Sequence, residues 1–142
     1  MALSDTHLSF LADHHSAAMT TIGDDGVPKS VRCGVALLDG RLWSSGTEGR
    51  VRTARLRRDP RCTLFVFDPG FAWLTLETTV TVLDGPDVPA QSLALMRHMQ
   101  GKPTGPVSWF GGDLDEAAFL QTMADEGRVI YEFAVHKAYG MT

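Results

Sequence analysis

The sequence predicts a mainly β protein, built as a small antiparallel barrel of six strands with short helices. Segments rich in β-forming residues are separated by dense turn signals. The connections between the early strands are too short for the crossover helices that a parallel sheet requires. The 142 residues, of which 44% are hydrophobic, are enough for one domain with one core, so we expect a single domain over residues 1–142.

The first half of the chain alternates short strands with turns and two short helices. Ser4 or Asp5 can cap a first helix that continues to His15. Asp39-Gly40 is typical of a two-residue hairpin turn, because both residues tolerate the positive φ that a type I′ turn requires. A helix over 50–58 ends at Asp59-Pro60, since proline cannot continue a helix. The predicted strands of this half are 17–22, 29–38, 41–45 and 61–68.

The second half has one long strand, two helices and a last strand. Asp84-Gly85-Pro86 ends the long strand, and a Gly/Pro-rich stretch separates the two helices. This stretch, 101–112, is either an ordinary connector or a loop that covers a site, and the sequence supports both equally. The predicted elements are strand 71–83, helices 89–100 and 113–125, strand 128–135 and a tail over 138–142.

Positive charge is concentrated in one segment of an acidic protein. The net charge is −4, yet residues 50–61 hold six arginines and one aspartate, a local charge of +5. The rest of the chain then carries −4 − 5 = −9. One compact basic segment favours a small anionic ligand, because nucleic-acid binders more often spread basic charge over a whole face.

The strongest functional signal is the strand-to-helix element at the start of this basic segment. Free N–H groups at a helix N-terminus favour an anion, and arginine adds a planar fork matched to phosphate or carboxylate oxygens. From these residues alone, a phosphate site and a solvated basic helix are equally supported. The element reads Ser44-Ser45-Gly46-Thr47-Glu48-Gly49-Arg50-Val51-Arg52-Thr53 and is followed by Leu56-Arg57-Arg58-Asp59-Pro60.

These residues resemble the flavin/deazaflavin oxidoreductase family that has the pyridoxamine-phosphate-oxidase-like split barrel. The resemblance covers nearly the whole chain, from the first helix and the Asp-Gly-Val-Pro turn to the tail. Its main motif is Arg50-x-Arg52-Thr53 followed by Leu56-x-x-Asp59-Pro60, together with Gly127-Arg128-Val129-Ile130 and Ala138-Tyr139-Gly140. One departure is Glu77-Thr78, because many relatives have glycine shortly after this glutamate.

Two cysteines are too few for a disulfide framework, so we expect a cytoplasmic protein. The resemblance implies a homodimer with two cofactor sites at the subunit interface. In such a site Arg50, Arg52 and Thr53 hold the cofactor phosphate, and two strands flank the ring. Trp73 on the long strand is expected either in the core or interface, or against the ring across the dimer. The candidates on the two flanking strands are Arg32, Ser45 and Thr47.

Within this family, members use flavin mononucleotide (FMN) or the deazaflavin coenzyme F420, and the chain most resembles the actinobacterial deazaflavin branch. Six arginines exceed the needs of one phosphate, and Arg55 or Arg61 could meet the anionic tail of the deazaflavin. The resemblance therefore implies an F420-dependent oxidoreductase that delivers a hydride to a small organic acceptor. The alternatives are an FMN-dependent oxidoreductase and a non-catalytic cofactor-binding or storage protein.

Other features of the chain carry no chemistry. The N-terminal segment lacks the pattern of a secretory signal, and no apolar run is long enough to span a membrane. Cys33 and Cys62 are expected to be reduced, packed thiols. Adjacent positions on a helix point about 100° apart, so His14-His15 is a poor metal site and we expect no bound metal. Neither nucleic acid nor a membrane is an expected partner.

Overall fold

The computed structural model describes residues 3–142 as a curved antiparallel sheet with four helices and a separate small hairpin. Met1 and Ala2, the start of the segment assessed for a signal sequence, lie outside the described residues. The helices are α1 (Asp5–Asp13), α2 (Val51–Arg58), α3 (Val88–Gln100) and α4 (Glu116–Asp125). The strands are β1 (Ser16–Ile22), β2 (Pro28–Gly34), β3 (Ala36–Leu38), β4 (Arg41–Thr47), β5 (Arg61–Phe67), β6 (Trp73–Leu83), β7 (Val107–Trp109), β8 (Gly112–Leu114) and β9 (Arg128–Met141).

The large sheet has seven strands in the order β2-β1-β5-β6-β9-β4-β3. Its two edge strands, β2 and β3, follow each other in sequence and are joined through Val35. The sheet therefore curls until its two edges meet at this residue, which forms a half-barrel. Val35 is fully buried, and its N–H donates to the carbonyl of His15 at 2.8 Å.

The predicted strand over 29–38 is two strands, so the predicted count of six is too low. β2 pairs with β1, whereas β3 pairs with β4 at the opposite edge of the sheet. One continuous strand cannot pair with both edges, and the chain turns at Val35 to change partners. The Asp39-Gly40 turn that follows is as predicted, with φ of 49° and 78°.

The predicted C-terminal tail is part of the last strand. β9 continues to Met141 and pairs with every residue of β6, so that Trp73 faces Met141. The register shifts at Glu77-Thr78, where His136 is the extra residue on β9. This bulge lies where the sequence departs from the family pattern. It leaves Glu77 exposed, while Thr78 is buried and donates to the carbonyl of Cys62 at 2.7 Å.

Three clusters of buried side chains hold the elements together. The largest fills the half-barrel, with Met19, Leu64 and Leu76 fully buried. A second cluster packs α3 against the sheet through Trp43, Val88, Leu95 and Ile130. The third packs α3 against α4 and the small hairpin through Leu93, Val107, Phe119 and Met123. Together the last two clusters place α3 and the β7–β8 hairpin beside the start of α2.

Among residues 3–142, no helix is long and apolar enough to cross a lipid bilayer. Helix α1 begins at the Ser4 cap as predicted, since the Ser4 hydroxyl accepts from the His7 N–H at 3.2 Å. It ends at Asp13, two residues before the predicted end.

Candidate functional site

A cavity of about 200 Å³ lies where β2, β4, α2, α3 and the β7–β8 hairpin meet. Arginines and Ser45 line one part of it, and sulfur-containing and aromatic side chains line another. Because the lining comes from elements far apart in sequence, only the folded chain assembles it. The lining residues are Arg32, Cys33, Gly34, Ser45, Arg50, Arg52, Met96, Met99, Trp109, Phe110 and Arg128.

Arg52 is a buried arginine on the first turn of α2, with 8% of its surface exposed. Its guanidinium lies over the ring of Tyr131, 5.5 Å from the centroid, and donates to the carbonyl of Ser45 at 3.3 Å. Thr53 is fully buried beneath it. The Thr53 hydroxyl donates to the carbonyl of Thr47 at 2.7 Å and lies 2.5 Å from the Tyr131 hydroxyl.

Tyr131 can support these residues because β4 has a glycine at the point of contact. A Cβ at Gly46 would collide with the Tyr131 ring and hydroxyl. The tyrosine therefore reaches under the start of α2, where it contacts both Arg52 and Thr53. This packing aims the N-terminus of α2 at the cavity and holds the Arg52 side chain in one orientation.

Arg50 is the N-cap residue of α2 and is exposed to solvent. No carboxylate within residues 3–142 pairs with it. Partial desolvation and the nearby charges of Arg52 and Arg128 lower the pKa of Arg50, although arginine stays protonated in any protein. The positive charges around Arg50 repel one another, so an anion bound among them is stabilised.

Arg128 brings a further positive charge to the cavity from the start of β9. Its side chain is 5% exposed and forms two hydrogen bonds to one Glu126 oxygen, at 2.9 and 2.7 Å. Its guanidinium also stacks over the Trp109 ring, 4.6 Å from the centroid. Glu126 accepts from the Trp109 indole N–H at 3.2 Å with its other oxygen. Burial by itself would raise the pKa of Glu126, but these hydrogen bonds outweigh it and lower the pKa.

Four of the seven predicted site residues line the cavity: Arg32, Ser45, Arg50 and Arg52. Thr47 and Thr53 lie beneath it and are hydrogen-bonded to each other. A direct contact between the Thr53 hydroxyl and a phosphate stays a prediction, and this geometry does not favour it because the hydroxyl is already engaged. The buried Ser45 hydroxyl has no hydrogen-bond partner among residues 3–142 and is free to bind a ligand oxygen.

Trp73 lies outside this cavity. Its ring stacks on Phe65 at 5.6 Å and meets Tyr139 edge-on at 6.4 Å, which forms an aromatic patch on the outer face of β5, β6 and β9. Phe65 and Tyr139 are 41% and 42% exposed. Trp73 could therefore contact a bound ring only if that ring lay in the cavity of a second subunit.

The arginines at the other end of the basic segment are occupied elsewhere. Arg57 pairs with Glu48 at 2.7 Å and with Asp84 at 3.0 Å. Arg61 pairs with Asp59 at 2.7 Å, and the hydrogen bonds from Arg61 lower the Asp59 pKa to about 2. Arg58 donates to the carbonyl of Ile22 at 2.9 Å. An excess of arginine along one segment is therefore a poor measure of the charge at the site.

Two residues that support the cluster of arginines, Arg128 and Tyr131, were not predicted from the sequence. Both lie near the Gly127-Arg128 motif, which carried the family resemblance without a role being assigned to it. The alternation of buried residues along β9 could have placed Tyr131 inside the half-barrel. No local pattern shows that Arg128 turns towards α2.

The two thiols are poor candidates for nucleophilic chemistry. Burial raises the pKa of Cys33, which lines the cavity, and raises the pKa of Cys62 to about 12. Both are unpaired by disulfide and remain protonated at neutral pH. Across residues 3–142, no three His, Cys, Asp or Glu side chains are placed to hold a metal ion. The lining of the cavity is therefore basic on one part and apolar on another.

These features define a class of protein: an antiparallel half-barrel with an arginine-lined cavity whose polarity suits a phosphate-bearing group. The donor set fits such a group, because it combines four guanidinium groups, a free buried hydroxyl and a helix N-terminus. The chain belongs to the pyridoxamine 5'-phosphate oxidase family, whose sequence profile matches residues 3–141.

Several solved structures share this fold at low sequence identity. The conserved hypothetical protein Rv2991 of Mycobacterium tuberculosis is 18% identical, with a TM-score of 0.75 over 99% of this chain and 86% of that one. A protein described as an F420 reductase is also 18% identical, with a TM-score of 0.73 over 96% of this chain and 98% of that one. General Stress Protein 26 of Bacillus anthracis is 8% identical, with a TM-score of 0.65 over 94% and 88%. A search of curated proteins gave no match.

Proposed function

We propose that this protein is an oxidoreductase that uses the deazaflavin coenzyme F420 to reduce a small organic acceptor. The observation that carries the proposal is the convergence of Arg32, Arg50, Arg52 and Arg128 on one cavity. Four positive charges against the one carboxylate of Glu126 leave a net charge of +3, more than one phosphate neutralises. A phosphodiester followed by carboxylates, as in the deazaflavin, matches this excess better than one terminal phosphate does. The likeness to an F420 reductase supports the same choice.

The residues of the chain bind and orient the cofactor under this proposal. Arg50 and Arg52 hold the phosphate at the N-terminus of α2, and the free Ser45 hydroxyl adds a donor. Arg32 on β2 is placed to meet a further anionic group. Trp109 and the methionines of α3 exclude water from the cavity. Once bound, such a cofactor supplies hydride transfer, a reaction for which the protein provides position and electrostatics rather than a catalytic acid or base.

An FMN-dependent oxidoreductase is the second candidate, and membership of the family supports it. It needs only the Arg50–Arg52 pair, because FMN presents a single terminal phosphate. A cofactor-binding or storage protein would have the same site without turnover. Cofactor affinity separates the first two candidates, and hydride transfer to an acceptor separates both from the third.

The proposal is tested by fluorescence titration of the protein with F420 and with FMN at low and high salt. We expect F420 to bind more tightly and with the steeper salt dependence, because its binding neutralises more charge. In Arg50→Ala the affinity for F420 should fall about 10-fold, because one charge-assisted hydrogen bond contributes roughly 1.5–3 kcal/mol. Arg57→Ala is the matched control and should change affinity less than about twofold, since it removes only two exposed ion pairs.

If the protein binds FMN tightly and does not bind F420, the proposed F420 dependence is wrong and the second candidate, an FMN-dependent oxidoreductase, is correct. Equal losses of affinity in Arg50→Ala and Arg57→Ala would place the anion away from the N-terminus of α2, and the proposed site would then be wrong.

We further propose that two copies of the chain form a dimer through the aromatic patch of Phe65, Trp73 and Tyr139. An exposed group of aromatic side chains is typical of protein interfaces, and nearby Phe71 and Met141 are 93% and 64% exposed. A dimer would complete each cavity with residues of the second subunit. Light scattering should give the mass of a dimer, and Phe65→Glu should shift it to that of a monomer. A parent protein that is monomeric at micromolar concentration contradicts this proposal.

A further inference from the structure

The side of the cavity away from α2 is apolar. Met96 and Met99 of α3 meet Trp109 and Phe110 of the β7–β8 hairpin there. We propose that this apolar wall binds a flat, uncharged organic molecule, and that Phe110 determines which molecules fit. As a substrate subsite it rests on the proposed function, but as a binding site it does not depend on the cofactor.

The backbone at Phe110 is unusual for a large apolar residue. Phe110 and Gly111 form the turn of the hairpin with φ of 45° and 82°. A two-residue turn of this kind favours Asn, Asp or Gly, and a bulky side chain at positive φ is strained. Phe110 is also 82% exposed, so burial of its ring in the core does not compensate for the strain. Strain at an exposed residue that lines a cavity indicates a binding role rather than a structural one.

Trp109, in contrast, is fixed by the residues around it. Its ring meets Phe119 edge-on at 5.6 Å, lies beneath the Arg128 guanidinium and donates to Glu126. Its other aromatic neighbour is Phe110, at 4.9 Å and 79°. The wall therefore combines one immobilised ring with one exposed ring. Arg128 acts as a positioning residue for the wall, because it connects Trp109 to Glu126.

Two methionines complete the wall and allow it to adapt. Unbranched thioether side chains change shape at little cost and contact aromatic rings favourably. Met99 also reaches across to β2, since a Cβ at Gly34 would lie 2.5 Å from its terminal methyl group. A flat ring between Trp109, Phe110 and these methionines would be held by aromatic and sulfur contacts on several sides.

The charges around the cavity define the class of ligand. A cation would be repelled by the four arginines, and an anion would bind to the arginines themselves. The apolar wall itself therefore favours a flat molecule without charge. Its place beside the arginines suits an acceptor that must lie next to an arginine-bound cofactor.

The test uses N-phenyl-1-naphthylamine, an uncharged aromatic probe whose fluorescence rises in apolar surroundings, with no cofactor added. The parent protein should bind it at one saturable site. Phe110→Ala should weaken binding about twofold to tenfold, since one aromatic contact contributes roughly 0.5–1.5 kcal/mol. Val27→Ala is the control, because Val27 is an exposed apolar residue in the β1–β2 turn that neither lines the cavity nor belongs to the aromatic patch, and this variant should bind the probe like the parent.

A second variant tests the positioning role of Arg128. Arg128→Lys keeps the charge but loses the planar stacking on Trp109 and one hydrogen bond to Glu126. It should weaken probe binding and speed amide hydrogen exchange over 107–114, while exchange in β5 and β6 stays unchanged.

Three results would overturn the inference: no saturable binding by the parent, equal binding by Phe110→Ala and the parent, or equal weakening in Phe110→Ala and Val27→Ala. If amide hydrogen exchange over 107–114 and probe binding are both unchanged in Arg128→Lys, Arg128 does not position the wall. Failure of F420 or FMN to bind would leave all these results in place and would contradict only the proposed function.

Discussion

The two ends of helix α2 carry the same side chain in opposite surroundings. At the N-terminus, Arg52 is buried on Tyr131, and Arg50 faces the cavity without an acidic partner among residues 3–142. At the C-terminus, Arg57 is paired with two carboxylates, and Arg58 caps the carbonyl of Ile22. Both groups lie in one basic segment, so the number of arginines does not distinguish them. The acids that the fold brings to each end decide which arginines are available to a ligand.

The largest effect should come from removing the buried arginine. Arg52→Ala removes the cation–π contact with Tyr131 and the hydrogen bond to the Ser45 carbonyl. We expect cofactor affinity to fall by on the order of 10-fold to 100-fold and the free energy of unfolding to fall by about 1–3 kcal/mol. Arg58→Ala, at the other end of the helix, should change both quantities little. Urea denaturation and fluorescence titration measure them.

The burial of Arg52 makes its removal affect stability as well as binding. If Arg52 were a surface residue, its removal would spare the fold and affect only binding. Only 8% of Arg52 is exposed, so its removal should lower both the stability of the fold and the affinity for the cofactor. The same guanidinium supports β4 and lines the cavity. An Arg52→Ala variant with parental stability and weak binding would show that the exposed-arginine interpretation is the better one.

A smaller effect should follow when the support beneath Arg52 is changed without touching the arginine. Gly46→Ala places a methyl group against the Tyr131 ring, and we expect a loss of about 1–3 kcal/mol in unfolding free energy. Gly49→Ala, three residues later in the turn between β4 and α2, is the matched control, since a Cβ there meets open space. Thermal unfolding should separate the two variants by several degrees. Equal melting temperatures would mean that Tyr131 can move away and does not hold the start of α2.

The smallest effect concerns the acid beside the cavity. The pKa of Glu126 lies below its ordinary value of 4.5, so the carboxylate stabilises the fold above that pH. This stability is lost as the pH falls below 4.5 and through the folded pKa, where protonation releases Arg128 and Trp109. In Glu126→Gln the loss over this pH range should be smaller than in the parent, as measured by urea denaturation from pH 7 to pH 3. An identical pH profile in both proteins would contradict the role of Glu126.

Asp59, at the other end of α2, is a second acid whose pKa is lowered by an arginine. Its pKa is about 2, below the ordinary value of 3.8 for aspartate. Its partner Arg61 is exposed, whereas the Arg128 partner of Glu126 is buried, so Asp59→Asn should alter stability less than Glu126→Gln does. The acid at the cavity and the acid at the far end therefore both have a lowered pKa but differ in the burial of their arginine partners.

Local chemistry determined much of what the sequence could predict. The β-forming segments, the Asp39-Gly40 turn, the Ser4 cap and the helix that ends at Asp59-Pro60 all depend on near neighbours in the chain. The Arg50-x-Arg52-Thr53 element was located for the same reason, because a helix start with arginines forms within a few residues.

The tertiary structure alone decided which arginines share the cavity and which are neutralised. Arg128 joins Arg52 only because β9 pairs with β4, and Arg57 is neutralised only because Glu48 and Asp84 lie beside it in space. The division of one predicted strand at Val35 has the same origin, since the curling of the sheet brings its two edges together there. Such outcomes depend on contacts between residues distant in sequence, and those contacts are set by how the whole sheet closes rather than by any local pattern.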